Sequence, residues 1–292
     1  MSARVAGRAL DGTPASLADA VMDLLDGAAS DDRVLVLPDM HYPYHPSTGL
    51  VTNPDVIEVL IEFLQGRGTE ALLCLPDSPW IEGDRCARFL GYDEVVDRLD
   101  VDVVDLGAAG SVDRTVTIGE RRRRVTVPEP LDSETLVTVP TLRTDPDFGF
   151  VAGMAATAFG ALGREAADAT AADVVAAAAV CDPEAVLLDG TYTYTGAPHR
   201  SGFLLASSDA PTLDAAAARL VNEDPEDVPY LAPHGVRTPP VSDLDLDEIA
   251  DRLPNERGET GETSPVMQTG YRLYTRVTGD LLPPQFMGDS DA

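Results

Sequence analysis

Short apolar runs alternate with amphipathic stretches in the first hundred residues. The three apolar runs, at 33–38, 71–76 and 101–106, have the length of buried strands. Helical spacing of apolar residues begins at Pro54 after the first run, and shorter helical patterns within 84–99 follow the second. Buried strands separated by helices favour a parallel sheet with right-handed crossovers.

The rest of the chain mixes both kinds of element. We predict a β-hairpin whose strands, 115–118 and 123–127, flank Gly119 and Glu120, and a helix at 15–28 before the first strand. Further strands are expected at 135–139, 185–188, 203–207 and 271–277, and further helices at 150–162, 166–180, 211–221 and 244–253. The predicted fold is therefore α/β: a mostly parallel, mixed sheet with helices on both faces and a central β-hairpin insertion.

The order of these elements predicts three regions. Residues 1–30 form an N-terminal helix and extension, and residues 31–235 form the α/β core. Residues 236–292 form a C-terminal extension, in which we expect a polar, mobile stretch at 257–264 and an acidic, disordered tail at 287–292.

The composition is strongly acidic and contains no lysine. The chain has 292 residues, 50 Asp and Glu, and 21 basic residues that are all Arg, so its formal net charge is −29. Such a surface suits a salt-rich cytoplasm, in which charge repulsion is screened, and we expect a halophilic, cytoplasmic protein. The charge argues against binding to nucleic acid or anionic membranes. No apolar run approaches the roughly 20 residues of a membrane helix.

Missing residue types exclude several kinds of chemistry. Without lysine the chain cannot form a Schiff base, a pyridoxal phosphate (PLP) aldimine or a P-loop. Its three cysteines, at 74, 86 and 181, share no CxxC spacing. A four-cysteine zinc site and a cubane iron–sulfur cluster supplied by this chain alone are therefore excluded.

Polar residues follow the predicted strands at the points where these end. They are Asp39 and His41, Asp77 and Ser78, Arg143 and Thr144, Asp189, and Ser207 and Asp209. In an open parallel sheet, ligands bind in the crevice outside the carboxyl ends of the strands. The alternative for the Asp and Ser residues is helix capping. Asp39 and Asp189 come directly after apolar runs, so each needs a metal, an Arg or backbone donors as its partner.

Each candidate has a chemical role and a plainer alternative. His41, Asp77 and Asp189 are predicted to be catalytic, with His41 transferring protons. The alternative for His41 is a partly exposed side chain in a loop that is braced by Tyr and Pro residues. Arg143 is predicted to bind an anion, or to form a salt bridge with a nearby acid. A carboxylate crevice without cysteine favours Mg²⁺ or Mn²⁺, with Asp39, Asp77 and Asp189 as ligands. The run Arg121 to Arg124 is predicted to neutralise neighbouring acids or to bind an acidic partner surface.

Several short motifs occur in a characteristic order along the chain. They include VTNPDVIEVLIEFLQGRG, LPDSPW, TLVTVPTLRTD, GMAATAFG, VLLDGTYTY and FLLASSDAPTLDAAAARL. Together they resemble the domain of unknown function 362 (DUF362) family over residues 33–231. The resemblance implies an α/β domain, often found beside a ferredoxin-type iron–sulfur module, and hence redox or cluster-linked chemistry. This chain would be a short form without that module.

The resemblance also bears on single positions. Residues that match the family pattern are Asn53 and Pro54, Asp77 and Ser78, Thr144, Asp189 and Gly190, and Ser207 and Asp209. Among these, Asn53, Ser78, Thr144, Ser207 and Asp209 join Asp39 and Arg143 as predicted ligand-binding residues. The chain departs from the pattern at Asp145, Ala156 and Thr157, where family members have His, Lys and Asn. Either the site is degenerate or these positions were never catalytic.

Three hypotheses of function follow. The first is an enzyme that binds a small anionic ligand in the crevice, with a divalent cation and a role linked to redox or iron–sulfur chemistry. The alternative is a non-catalytic member of the family that binds a ligand or a partner, such as a separate iron–sulfur protein. The third is a pseudo-enzyme that serves only as a subunit of an oligomer. Convergence of Asp39, Asp77, Arg143, Asp189 and Asp209 on one pocket would favour the enzyme.

Overall fold

A computed structural model of the chain describes residues 4–27 and 31–254, and the predicted elements at 257–264, 271–277 and 287–292 lie outside them. The strands are β1 (Val5–Ala9), β2 (Arg33–Pro38), β3 (Glu70–Leu75), β4 (Asp102–Asp105), β5 (Ser111–Ile118), β6 (Arg121–Pro128), β7 (Thr135–Val139), β8 (Thr141–Asp145), β9 (Gly149–Val151), β10 (Ala185–Tyr194), β11 (Pro198–Ser207) and β12 (Val241–Ser242). The helices are α1 (Pro14–Leu25), α2 (Pro54–Gly66), α3 (Gly83–Leu90), α4 (Tyr92–Leu99), α5 (Glu129–Ser133), α6 (Gly153–Leu162), α7 (Ala171–Cys181), α8 (Ala210–Leu220) and α9 (Leu246–Ala250).

One mixed sheet runs through the described residues in the order β12-β1-β11-β10-β7-β2-β3-β4. The neighbours from β10 to β4 pair in parallel, whereas β11 pairs antiparallel with both β10 and β1. Strand β8 pairs with β10 and with β9, beside the end of β7. The predicted α/β fold with a mostly parallel, mixed sheet is confirmed.

The two faces of the sheet bury two separate apolar clusters. Alternate residues of a strand point to opposite faces, so that Val34 and Val36 pack with α1, α2, α3 and α4. Leu35 and Leu37 pack on the other face with α6, α7 and α8. Helices therefore cover both faces, as predicted. No helix among the described residues has the length and apolar character to cross a membrane.

Strands β5 and β6 form the predicted hairpin as a separate two-stranded sheet, with Gly119 at a φ of +59° in its turn. Val125 and Val127 face the core, and the four consecutive arginines precede them on β6. Arg123 donates from Nε to Asp173 Oδ1 of α7 at 2.7 Å, and Arg124 pairs with Asp113 of β5. Arg123 and Arg124 therefore neutralise neighbouring acids, which is one of the roles predicted for this run of arginines.

Some predicted boundaries are wrong, each for a physical reason. The predicted helix at 150–162 begins only at Gly153, because Phe150 and Val151 pair with β8. The predicted helix at 166–180 is α7, which begins at Ala171 behind a capping box formed by Thr170 and Asp173. Strand β1 is absent from the sequence prediction, and its place in the sheet comes from pairing with β11.

Candidate functional site

Asp39 is the first residue after β2 and lies buried at the carboxyl end of the sheet. Its backbone N–H donates to Thr52 Oγ1 at 2.9 Å and points to Val139 O at 3.3 Å. The side chain is 4% exposed; Oδ1 lies 3.1 Å from His41 Nδ1, and Oδ2 accepts a hydrogen bond from Arg143 Nη1. The carboxylate therefore links an imidazole and a guanidinium.

Arg143 reaches Asp39 because the chain continues beside β10 beyond Pro140. Strand β7 runs beside β2 up to Val139, and after the proline β8 continues beside β10, with Thr141 opposite Asp189. This places Arg143, which is 8% exposed, over the end of β2. The salt bridge considered as an alternative for Arg143 is thus present, and its predicted role in anion binding stays a prediction.

The charges in this cluster shift the ionisation of its members. Burial alone would raise the pKa of Asp39, but the Arg143 charge and the hydrogen bond from His41 hold it below its ordinary value. Burial and the Arg143 charge lower the pKa of His41, against the opposing effects of Asp39 and Asp145. Since Asp39 is ionised and accepts only, the imidazole is neutral near pH 7 with its proton on Nδ1, and the 26% exposed ring presents a basic Nε2.

Asp189 lies in β10, where a bulge follows at Gly190–Tyr192, and it is 1% exposed. Its Oδ2 accepts the Asn53 N–H at 2.8 Å, and its Oδ1 accepts the Thr191 N–H at 2.8 Å and the Thr191 hydroxyl at 2.7 Å. These donors are neutral, so burial dominates and raises the pKa of Asp189 to about 6.

The other predicted residues make local capping and turn contacts. Asp77 Oδ1 accepts the Gly83 N–H at the start of α3, and its Oδ2 accepts Arg164 Nε, each at 2.9 Å. Asn53 and Asp209 cap α2 and α8. Ser78 Oγ accepts N–H groups of its own loop, as does Ser207 Oγ, and Thr144 donates to Tyr194 O at 3.4 Å. Thr144 thus bonds across to β10, whereas capping or turn contacts describe the other side chains. A role of these residues with a ligand stays a prediction.

The structure brings His41, Asp39 and Arg143 together, and it gives Asp77 and Asp189 other partners. Within 4–27 and 31–254, no three His, Cys, Asp or Glu side chains are grouped closely enough to hold a metal ion. Asp39, Asp77 and Asp189 therefore do not form a shared ligand set, and the predicted Mg²⁺ or Mn²⁺ stays a prediction.

The sequence profile of the family described as Domain of unknown function (DUF362) matches residues 34–219. The chain belongs to the DUF362 family. The matched range contains every predicted site residue, and it confirms the resemblance drawn from the motifs. No solved structure matches this DUF362 protein at a significant level.

A curated relative is the thylakoid-associated protein sll1697 of Synechocystis sp.. It is 23% identical to this DUF362 protein over 218 residues. The alignment covers 69% of the chain and 66% of the relative, so the chain spans just under two thirds of that protein's length.

Two positions at which the resemblance implied other residues, Ala156 and Thr157, lie on α6. Ala156 is buried in the apolar cluster of that face, where a lysine would need a partner or a path to water. The Thr157 hydroxyl donates to Gly153 O at 2.7 Å and lies 3.0 Å from the Thr138 hydroxyl of β7. Both positions therefore serve packing between α6 and the sheet.

Asp214 of α8 is a buried acid that is absent from the predicted site residues. It accepts the Gly153 and Met154 N–H groups at 2.6 and 2.9 Å and so caps α6. Burial raises the pKa of Asp214 to about 7. A lone acid between the apolar residues Leu213 and Ala215 was the signal that could have identified it.

Proposed function

We propose that this DUF362 protein is an enzyme that binds a small anionic ligand at the carboxyl ends of β2, β7 and β10, and that His41 exchanges a proton with this ligand. The observation that carries the proposal is the buried Arg143–Asp39 pair, which ends in a partly exposed imidazole. A carboxylate that holds one ring nitrogen fixes the tautomer and orientation of a histidine, and the other nitrogen then acts on a ligand.

The lowered pKa of His41 supports a role as a general base rather than as a fixed positive charge. A neutral imidazole accepts a proton from a ligand, and the negative charges of Asp39 and Asp145 then stabilise the imidazolium. Arg143 supports the anionic class of the ligand, because without lysine an anion must be held by arginine, backbone donors or a cation.

The setting of this activity is part of the proposal. The net charge of −29 and the absence of lysine support a halophilic, cytoplasmic protein. The proposal includes a redox or iron–sulfur-linked role, with a separate iron–sulfur protein as the partner. The non-catalytic alternative, in which the chain only binds a ligand or a partner, is an outcome of the test below.

A thermal-shift screen at multimolar KCl tests the site. The panel is Mg²⁺, Mn²⁺, inorganic phosphate, pyrophosphate, acetate, succinate and citrate, because a ligand that binds only the native state raises the melting temperature. We expect a shift with at least one anion in the wild type and in the control His45→Gln, and a smaller shift in His41→Gln. His45 lies in the same loop, where its ring contacts the Ser47 hydroxyl at 2.7 Å.

Calorimetry with the anion that gives the largest shift then measures proton exchange. A bound anion favours the imidazolium form of His41, so the neutral ring takes a proton from the buffer. Titrations in two buffers of different ionisation enthalpy should therefore show proton uptake on binding in the wild type and none in His41→Gln. Binding without proton uptake in either protein would favour the non-catalytic alternative. Equal shifts in His41→Gln and His45→Gln would place the ligand elsewhere.

A further inference from the structure

Residues 39–53, which we call the strap, leave the sheet at Asp39 and return to it at Asn53. The two ends close on each other, because the Thr52 N–H donates to Asp39 O at 2.9 Å and Thr52 Oγ1 accepts the Asp39 N–H at 2.9 Å. The Tyr92 hydroxyl of α4 donates to Thr52 O at 3.0 Å. His41 therefore belongs to a closed loop whose position depends on how this neck is held.

The middle of the strap lies directly on β10. Gly49 has a φ of +70°, and a Cβ added there would lie 2.2 Å from the carbonyl carbon of Thr193. The Thr141 hydroxyl donates to Gly49 O at 3.2 Å. The close approach leaves no room for a side chain, so the strap rests on the backbone of the strand that also carries Asp189.

Asp189 binds the end of the strap through hydrogen bonds. Its Oδ2 accepts the Asn53 N–H of the strap, and its Oδ1 accepts the N–H and the hydroxyl of Thr191 in its own strand. An asparagine of the same shape would turn an N–H group toward one of these donors, so only an ionised carboxylate satisfies both sides.

We propose that Asp189 is a positioning residue that latches the strap to β10 and thereby holds the Asp39–His41 pair in place. This role rests on the proposed function of His41 and replaces direct participation of Asp189 in catalysis or metal binding. Asp189 acts through the strap, because its carboxylate is buried and accepts its described hydrogen bonds from Asn53 and Thr191.

The latch should respond to pH. Burial, with a smaller contribution from the charge of Asp55 on α2, raises the pKa of Asp189 to about 6 against its hydrogen bonds. Tyr92 of α4 also interacts with the carboxylate, and it stays protonated because its own pKa lies well above 10. Below about pH 6 a proton occupies one carboxylate oxygen, and the hydrogen bond at that oxygen weakens.

Amide hydrogen exchange by NMR in the ligand-free protein tests the latch. Asp189→Asn should lower the protection of the Asn53 and Thr52 amides by about tenfold or more, the factor expected for one lost hydrogen bond to a charged acceptor. It should also move the His41 titration midpoint up toward 6.5. The matched control is Asp214→Asn, since Asp214 is an equally buried aspartate that accepts two N–H groups at the start of a different helix.

The wild type provides a second measurement that needs no substitution. Protection of the Asn53 amide, corrected for intrinsic exchange, should fall between pH 7 and pH 5, while protection in the core of β3 should not. Unchanged strap protection in folded Asp189→Asn, or an equal loss in Asp214→Asn, would overturn the latch. Either result leaves the ligand test of His41 untouched, because this experiment uses no ligand.

Discussion

Removal of the Arg143 charge is the most demanding test of the site. Arg143 and Asp39 are 8% and 4% exposed, so Arg143→Met leaves a carboxylate buried without its cation. Two charges about 3 Å apart attract by roughly 5 kcal/mol at an effective dielectric constant near 20. Desolvation offsets part of this in the intact pair, yet removal of one partner typically costs about 3–5 kcal/mol. We expect a loss of that size in the free energy of unfolding at pH 7.

The control is an ion pair of the same residue types at the surface. Arg164 and Asp77 are 63% and 15% exposed, and Arg164→Met should cost at most about 1 kcal/mol. The double variant Asp39→Asn/Arg143→Met removes both charges and keeps an acceptor for His41. The double variant should lose less free energy of unfolding than the two single variants lose together, by about 2 kcal/mol or more.

The assay is urea unfolding followed by circular dichroism at pH 7 and pH 4, at constant salt. The Arg143 charge lowers the pKa of Asp39, so its stabilising effect is present above the ordinary pKa and is lost as the pH falls. In Arg143→Met the buried carboxyl protonates more readily, which removes the penalty, and the deficit should shrink at pH 4. A deficit no larger than that of Arg164→Met, or one independent of pH, would show that the Arg143 charge does not stabilise the ionised Asp39.

Three further predictions concern other parts of the fold. The pKa of Asp214 is raised from 3.8 to about 7 in the folded state, so the free energy of unfolding falls as the pH rises through this range. Urea unfolding should show that the wild type loses about 2–3 kcal/mol more than Asp214→Asn between pH 5 and pH 8. Gly49→Ala should cost more than about 2 kcal/mol in the same assay, whereas Gly68→Ala, at a φ of +85° with open space around it, should cost only about 1 kcal/mol. The three cysteines are buried with raised thiol pKa values, so Ellman's reagent should titrate none in the native protein and all three in urea.

The central strands were predictable because each is an apolar run between polar loops. Strands β2 and β3 are buried on both faces, so their residues carry the continuous apolar signal of a parallel sheet. Strand β1 carries no such signal. Its residues include Gly7 and Arg8, and it is a strand because it pairs with β11. Pairing over such a separation leaves no local trace in the sequence.

The site was predictable only in part. Asp39 and His41 are two residues apart, and their position after a strand was enough to select both. The contact with Arg143 depends on the register of β8 beside β10, which a hydrophobic pattern does not reveal. For Asp77 and Asp209, a helix cap and a ligand contact have the same sequence signature, and only the observed N–H donors distinguish them.

The pairing of β1 with β11 has a consequence for synthesis. Ala6 lies opposite Ala206, so β1 has no partner strand until about two hundred further residues have been made. The parallel unit β2-β3-β4 is complete by Asp105 and can form early. During the interval the nascent chain carries β1 unpaired, and an unpaired strand edge is prone to non-native association. Both pairings of β1 are then late steps, since β11 and β12 follow it by about two hundred residues or more.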